Sequence, residues 1–150
     1  MITAKADSLV FQDIEQVYRF VALDFVANYP RWSPEVISLK ALSDGPIQPG
    51  YRASQVRIDQ GHKTESTFEV VELVAYQRVV FKGLTAPYRS TYEFDNLKAS
   101  TRLSFTFEIF ELEPRMRPFE KLIRLALQEG VKRTMKKLKI SASLKELQQQ

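Results

Sequence analysis

The sequence predicts an α+β fold in which a curved, seven-stranded antiparallel sheet wraps around one long C-terminal helix, with two short helices after the first strand. Three observations predict this fold. Strand-like segments separated by short turns fill residues 51–112, which is typical of an antiparallel meander rather than of alternating strands and helices. A helical period of apolar residues follows Pro118, and two shorter helical patterns precede Trp32.

The first third of the chain combines two strands with the two short helices. Ile2–Val10 suits a first strand, and Asp13 is a good N-cap because its side chain can accept a hydrogen bond from the first helical turn. The second short helix ends near a proline-bracketed bend that carries Trp32. A strand is predicted at Val36–Leu42, and residues 43–50, rich in proline and glycine, separate it from the meander.

The meander supplies the remaining five strands, and the period of their side chains indicates which faces are buried. In the last strand Leu103, Phe105 and Phe107 alternate with polar residues, so one face of the sheet must be covered. The second of the five strands loses this alternation after Val70. The five strands are predicted at Tyr51–Ile58, Thr64–Leu73, Arg78–Leu84, Tyr88–Phe94 and Thr101–Leu112.

The long C-terminal helix is expected to cover that face. It begins near Pro118 and runs to about Leu138 or beyond, with an apolar stripe from Phe119 toward the sheet and lysines on the opposite side. Residues 115–150 carry ten basic and three acidic side chains, a charge of +7, whereas the rest of the chain carries −3. Most of this excess is therefore expected on the solvated helix face, which suits transient contact with an anionic membrane or partner. The tail from Leu144 has little to bury and is expected to fray.

Composition excludes several functional classes and favours a single domain, residues 1–150. The chain has no cysteine and one histidine, His62, which excludes thiol chemistry and multi-histidine metal centres, so no metal and no cofactor is predicted. No apolar run approaches the ~18–20 residues of a membrane span and no leader is visible, so a cytoplasmic protein is expected. Nucleic acid is not an expected partner, because no aromatic side chains interleave with the helix lysines. Monomer and dimer both remain open.

A strongly curved sheet with large aromatic side chains need not pack flush against the helix, which predicts a ligand cavity between them. The alternative is that the same residues simply fill a core. The candidate lining residues are Trp32, Phe68, Val70, Phe81, Tyr92, Phe94, Leu103, Phe105 and Phe107, with Ile123 and Leu127 from the helix.

Short segments in order along the whole chain carry a resemblance to a known family. They are Val17–Phe20, Leu23–Phe25, Tyr29–Val36, the glycine-marked loop with Gly45, Pro46 and Gly50, Ser100–Leu103, and Lys136–Lys139. These segments resemble the polyketide cyclase/dehydrase branch of the START-like superfamily, also called SRPBCC, whose fold is the helix-grip fold.

The resemblance implies a deep, largely apolar cavity that binds lipids, sterols, polyketides or other hydrophobic molecules. Some members of the superfamily are cyclases, dehydratases or hydrolases. By analogy, the bend at Trp32 and the loop at Gly45–Gly50 are expected near the cavity entrance. The favoured function is a carrier or sensor of a small hydrophobic or lipid-like ligand, and the alternative is a small cyclase or dehydratase.

Catalysis would need an acid or base inside the cavity, where burial can move its pKa. The candidates are Arg57, Glu65, Glu69, Glu72, Tyr88 and Tyr92. The favoured interpretation is that Glu65 and Glu69 form cross-strand ion pairs with Arg57 and Arg89 on the outer face of the sheet. His62 follows Gly61 in a predicted turn and is expected to be exposed. A binding protein is therefore favoured over an enzyme.

Overall fold

The computed structural model describes the backbone of residues 1–149 and the side chains of residues 1–143. Its elements are β1 (Ile2–Val10), α1 (Ile14–Tyr18), a π-helical segment (Arg19–Leu23), α2 (Phe25–Trp32), β2 (Val36–Ala41), β3 (Arg52–Asp59), β4 (His62–Val74), β5 (Arg78–Gly83), β6 (Tyr88–Asn96), β7 (Thr101–Ile109), a 3₁₀ segment (Pro114–Phe119) and α3 (Glu120–Gln149). The predicted α+β fold is confirmed, since the described residues form a curved antiparallel sheet of seven strands with one long helix and short helices. The tail from residue 144, for which fraying is predicted, lies outside the residues whose side chains are described.

The sheet follows the order β1-β7-β6-β5-β4-β3-β2, so β1 and β2 form its two edges. All neighbouring strands except β1 and β7 are consecutive in the chain, as a meander requires. The register places Ala6, Phe105 and Tyr92 side by side across β1, β7 and β6. These side chains share the concave face of the sheet, which carries the core.

A β-bulge explains why the alternation of β4 is lost. The pairing of β4 with β5 shifts register between Val70 and Glu72. Phe68 and Val70 are buried before the shift, and Leu73 packs on the core after it. An extra residue in one strand moves all later side chains to the opposite face, so both halves of β4 contribute to one core.

The short helices lie over the concave face. Asp13 caps α1 as predicted, because its Oδ1 accepts a hydrogen bond from the backbone N–H of Gln16 at 2.9 Å. The Asn28 side chain donates to the carbonyl oxygen of Phe20 at 3.0 Å, which ties α2 to the π-helical segment. Trp32, the last residue of α2, is completely buried. The short helices therefore act as one apolar cover over the sheet.

The long helix α3 lies mainly along β1 and α2. The Gln128 side chain donates to the carbonyl oxygen of Lys5 at 3.0 Å and accepts from the Lys5 backbone N–H at 3.3 Å, which covers the free edge of β1. Among the described side chains of α3, the deeply packed apolar ones begin at Val131 and continue with Met135, Leu138 and Ala142. The prediction that the apolar stripe begins at Phe119 is wrong, because Phe119 is 53% exposed.

Candidate functional site

A cavity of about 210 Å³ lies between the concave face of the sheet and α2. Thr64 and Ala86 mark its outer end, because Thr64 is exposed whereas Phe25 and Phe81 at the other end are buried. Its wall combines aromatic rings with hydroxyl, amide and guanidinium groups. The lining residues are Phe25, Tyr29, Gln55, Arg57, Thr64, Ser66, Phe68, Phe81, Ala86, Tyr88, Ser90, Tyr92 and Phe107.

The space exists because small residues alternate with large ones on the concave face. Ser66 on β4 pairs with Gln55 on β3, and Ser90 on β6 pairs with Phe81 on β5 and with Phe107 on β7. Side chains two positions apart on a strand point to the same face, so each serine leaves a gap between larger neighbours. The cavity therefore results from serines at inward-facing positions of the strands.

The inner end of the cavity is aromatic. The ring of Phe25 from α2 stacks on Phe81 with centroids 4.0 Å apart, and it also stacks on Tyr29 at 4.6 Å. Near the outer end, Tyr88 stacks on Phe107 at 5.4 Å with nearly parallel rings. Such walls bind flat apolar groups through ring contacts.

Gln55 is the most deeply buried polar side chain of the wall, with 4% of its surface exposed. Its Nε2 donates to Ser66 Oγ and to the Tyr88 hydroxyl, both at 3.3 Å. Among the described residues, its Oε1 has no hydrogen-bond partner. A buried acceptor without a partner costs stability, which is a common feature of functional sites.

Arg57 is the cation of the wall, and its hydrogen bonds hold α2 against β3. Its Nη1 donates to the Tyr29 hydroxyl and to Ser33 Oγ, each at 3.1 Å. Its Nε and Nη2 donate to the two carboxylate oxygens of Asp59. Burial lowers the pKa of Arg57, but hydrogen bonding and charge from Asp59, together with nearby Tyr29, outweigh burial and hold the pKa above its ordinary value. The guanidinium is thus permanently charged and already paired.

Three tyrosine hydroxyls of the wall each accept a hydrogen bond from a protein donor. Tyr29 accepts from Arg57 and Tyr88 accepts from Gln55. Tyr92 accepts from Nε1 of the buried Trp32 at 3.3 Å. Burial raises the pKa of all three tyrosines above the ordinary value of 10.0, and for Tyr88 and Tyr92 the proximity of Tyr29 raises the pKa further. The phenols therefore stay protonated at neutral pH and can donate into the cavity.

These raised pKa values predict a loss of stability at alkaline pH. The unfolded chain ionises tyrosine near pH 10.0, whereas the fold keeps Tyr29, Tyr88 and Tyr92 neutral at that pH. The unfolded state therefore binds fewer protons above that pH, so the free energy of unfolding is constant below it and falls as the pH rises further. Urea midpoints measured between about pH 8 and about pH 11 test this, and Tyr92→Phe should make the fall shallower. A midpoint that stays level to the upper limit would contradict it.

The structure brings four of the residues predicted to line the cavity into its wall and places the others elsewhere. Phe68, Phe81, Tyr92 and Phe107 line it. Five others are buried but do not line the cavity: Trp32, Val70, Phe94, Leu103 and Phe105. Ile123 and Leu127 are half-buried on α3 and are not part of the wall, because α3 follows the β1 edge.

The expected position of the entrance is also different in the structure. Trp32 is completely buried behind Tyr92 rather than placed at an opening. The loop at Gly45–Gly50 contributes no residue to the cavity wall. The sequence analysis did not identify Phe25, Tyr29 and Gln55 as wall residues, and it did not identify Ser66 and Ser90. The two serines share the period-two pattern of Phe68 and Tyr92. That pattern is the signal that could have found the serines.

The candidate acids lie outside the cavity wall. Glu69 pairs with Arg52 and Glu72 pairs with Arg78, each at 3.0 Å. Arg89 pairs with Glu108 of the neighbouring strand at 2.9 Å. Two further residues, Glu65 and His62, are exposed. Of the titratable candidates named from the sequence, Arg57, Tyr88 and Tyr92 therefore line the cavity.

The described residues contain neither a metal-binding cluster nor a helix able to span a membrane. No group of three or more histidine, cysteine, aspartate or glutamate side chains within them is arranged to hold a metal ion. No helix that they form has the length and apolar character to cross a bilayer.

Comparison with solved structures assigns the fold to a known class. TTHA0849 from Thermus thermophilus is 21% identical, with a TM-score of 0.74, over 95% of this chain and 97% of that one. The di-domain ARO/CYC BexL from the BE-7585A biosynthetic pathway is also 21% identical, with a TM-score of 0.74, over 96% of this chain but 47% of its own. A protein of unknown function from Staphylococcus aureus, SA2116, is 14% identical, with a TM-score of 0.72, over 97% and 96% of the two chains. These are helix-grip proteins, and at such identities they show the fold alone.

The family follows from a direct match of the sequence. A family model described as "Polyketide cyclase / dehydrase and lipid transport" matches residues 1–142. The chain belongs to this family, which confirms the resemblance seen in the sequence and supports a role in binding hydrophobic ligands. No curated protein matches the chain.

Proposed function

We propose that the protein binds a compact, oxygen-bearing hydrophobic molecule in the cavity beneath α2, as a carrier or sensor. The observation that carries this proposal is the composition of the wall. Stacked aromatic rings occupy its inner end, and the residues that line it include three tyrosines and a glutamine. This is the usual composition of a small-molecule site, which is mostly apolar with a few oriented polar groups.

The volume restricts the size of the ligand. Apolar cavities of about 150 Å³ accept benzene, whereas sites for drug-sized ligands enclose about 300–1,000 Å³. At about 210 Å³ the cavity suits a molecule of one or two rings. A sterol or a long acyl chain would extend out of it past Thr64 and Ala86.

The hydrogen-bonding groups restrict the chemistry of the ligand. Tyr29, Tyr88 and Tyr92 each accept one bond from the protein and keep a proton to donate. A ligand with carbonyl or phenolic oxygens would accept these protons, whereas a pure hydrocarbon would leave them without partners. Ring ketones, quinones and phenols fit both the volume and the donors.

Carriage is favoured over catalysis because the wall offers no base. No carboxylate and no imidazole line the cavity as the described residues form it. The charge of Arg57 is paired with Asp59, and its nitrogens bond to Tyr29 and Ser33. The tyrosines have raised pKa values and remain neutral. Proton abstraction from a ligand would therefore lack an acceptor in the wall.

A cyclase or dehydratase is the second candidate, and one observation favours it. Tyr88 and Tyr92 line the cavity in which a carbonyl oxygen would lie. A hydrogen bond from a tyrosine hydroxyl to that oxygen would stabilise negative charge that develops during ring closure or loss of water. The family description includes cyclases and dehydratases as well as lipid transport. In this candidate function Tyr88 and Tyr92 would act as hydrogen-bond donors to the reacting carbonyl.

Ligand binding is tested by filling the cavity with one substitution. Ser90→Leu adds a branched side chain to the concave wall, whereas Ser104→Leu adds the same group on β7 to the opposite face of the sheet. We expect Ser90→Leu to weaken binding of naphthoquinone probes at least about tenfold, equivalent to ~1.4 kcal/mol, and Ser104→Leu to leave binding unchanged. Fluorescence of Trp32, the sole tryptophan, reports binding because its indole N–H bonds to the wall residue Tyr92.

Two outcomes decide between the candidate functions. Mass spectrometry of a poly-β-ketone probe incubated with the protein should recover the probe with only its uncatalysed products. More than one equivalent of cyclised or dehydrated product per protein, lost in Tyr88→Phe, would support the enzyme instead. Equal probe binding by Ser90→Leu and the unsubstituted protein would contradict both functions at this cavity.

A further inference from the structure

The first turns of α3 expose apolar side chains toward solvent. Leu122 is 65% exposed and Leu125 is 62% exposed, and Phe119 just before the helix is 53% exposed. Residues three apart on a helix lie on the same side, so Leu122 and Leu125 form a continuous surface. We call this surface, with Phe119, the α3 apolar patch. Among the side chains of α3 that the structure describes, the buried ones begin at Val131, so the leucines of the patch do not serve the core.

Basic side chains surround the α3 apolar patch. Residues 115–139 carry nine basic and two acidic side chains, a net charge of +7. Lys121, Lys132 and Lys136 are exposed and, at 100° per residue, lie on the same side of the helix as Leu125. Leucines flanked by lysines on one outward face are the composition of helices that lie in the interface of an anionic bilayer.

The patch lies at the end of the sheet where the cavity opens. Register places Tyr88 of the cavity wall beside Ile109, and Ile109 beside Ile2. Arg117 of the 3₁₀ segment and Glu120, the first residue of α3, lie around a depression formed with Ile2 and Ile109. The β3–β4 turn and the β5–β6 loop reach this same end, because both follow strands that run toward it.

We propose that the α3 apolar patch and its lysines dock the protein on an anionic lipid bilayer, which holds the outer end of the cavity at the membrane surface. The leucines enter the interface between head groups and acyl chains while the lysines contact the anionic head groups. A second copy of the chain is a poor occupant, because a symmetric contact would bring two +7 surfaces together. The proposal does not depend on which ligand the cavity binds.

Sedimentation with vesicles tests the proposal on the full chain. We expect binding to vesicles of phosphatidylcholine with one-third phosphatidylglycerol, little binding to phosphatidylcholine alone, and loss of binding when the ionic strength is raised about tenfold. Equal sedimentation with neutral and anionic vesicles, or none with either, would overturn the proposal.

Matched variants locate the surface. Leu122→Asp with Leu125→Asp should reduce the bound fraction at least about tenfold through loss of apolar contact and added negative charge. Ile37→Asp alters another exposed apolar residue, 56% exposed on the edge strand β2, and should leave binding unchanged. Far-UV circular dichroism checks that each variant is folded. Binding retained by the double variant, or a dimer in solution that this variant converts to monomer, would refute membrane docking through this patch.

Discussion

Replacement of Trp32 by alanine is expected to lower the free energy of unfolding by about 3–5 kcal/mol, the usual cost of removing a large buried aromatic side chain. Trp32 is completely buried and packs against Phe20 and Phe25 with ring centroids 5.6 and 5.9 Å apart. Its Nε1 also donates to the Tyr92 hydroxyl. The substitution therefore removes apolar contact and leaves a buried hydroxyl without its donor.

Urea denaturation followed by far-UV circular dichroism measures this change, because the variant has no tryptophan to report by fluorescence. Phe119→Ala is the matched control: it also removes an aromatic ring, but one that is half-exposed, and it should change stability by no more than about 0.5 kcal/mol. A loss of less than about 1 kcal/mol for Trp32→Ala would mean that α2 is not packed on the sheet as described.

The strands could be predicted because the sheet is a meander whose exposed face is polar. In β7 the alternation of Leu103 and Phe105 with polar residues is complete, and both residues are buried. In β4 the pattern breaks after Val70, and the structure shows a bulge at that point. A bulge is a local change in register, so in the sequence it interrupts the alternation of inward and outward side chains.

The direction in which α3 faces could not be predicted from periodicity alone. A helix of period 3.6 shows an apolar stripe, but the stripe does not say which strand it meets. The structure places α3 over β1, where Gln128 bonds to the edge backbone of Lys5. Ile123 and Leu127 are consequently half-buried and not at the cavity. Gln128 gave no signal in the sequence, because a glutamine on a helix is ordinarily a solvent-exposed residue.

The polar part of the cavity was equally hard to predict, for a different reason. Gln55 and Ser66 lie on strands whose inward positions are expected to be apolar, and polar strand residues ordinarily lie on the solvated face. Their burial makes sense only when neighbouring strands are aligned, since Gln55 on β3 reaches Ser66 on β4 and Tyr88 on β6. The sequence of one strand does not show which residues of other strands its side chains will contact.

Gly83 is a position where the addition of a single methyl group is expected to disturb the cavity. A Cβ at Gly83 would lie 2.6 Å from two ring carbons of Tyr88 and would also meet the carbonyl oxygen of Ala86. Gly83 is therefore required for space at the end of β5. Gly83→Ala should lower the free energy of unfolding by about 1–3 kcal/mol, as overpacking of a close-packed site does.

The same substitution should weaken binding of quinone probes at least about tenfold, because a displaced Tyr88 loses both its stacking on Phe107 and its hydrogen bond from Gln55. Gly130→Ala is the control, since its nearest neighbour is the flexible side chain of Arg133 at 3.8 Å and alanine favours a helix over glycine by about 0.5–1 kcal/mol. We expect that variant to melt at a higher temperature and to bind the probes normally. If Gly83→Ala kept full stability and affinity, the β5–β6 loop could not be packed on Tyr88, and Tyr88 could not be a fixed part of the wall.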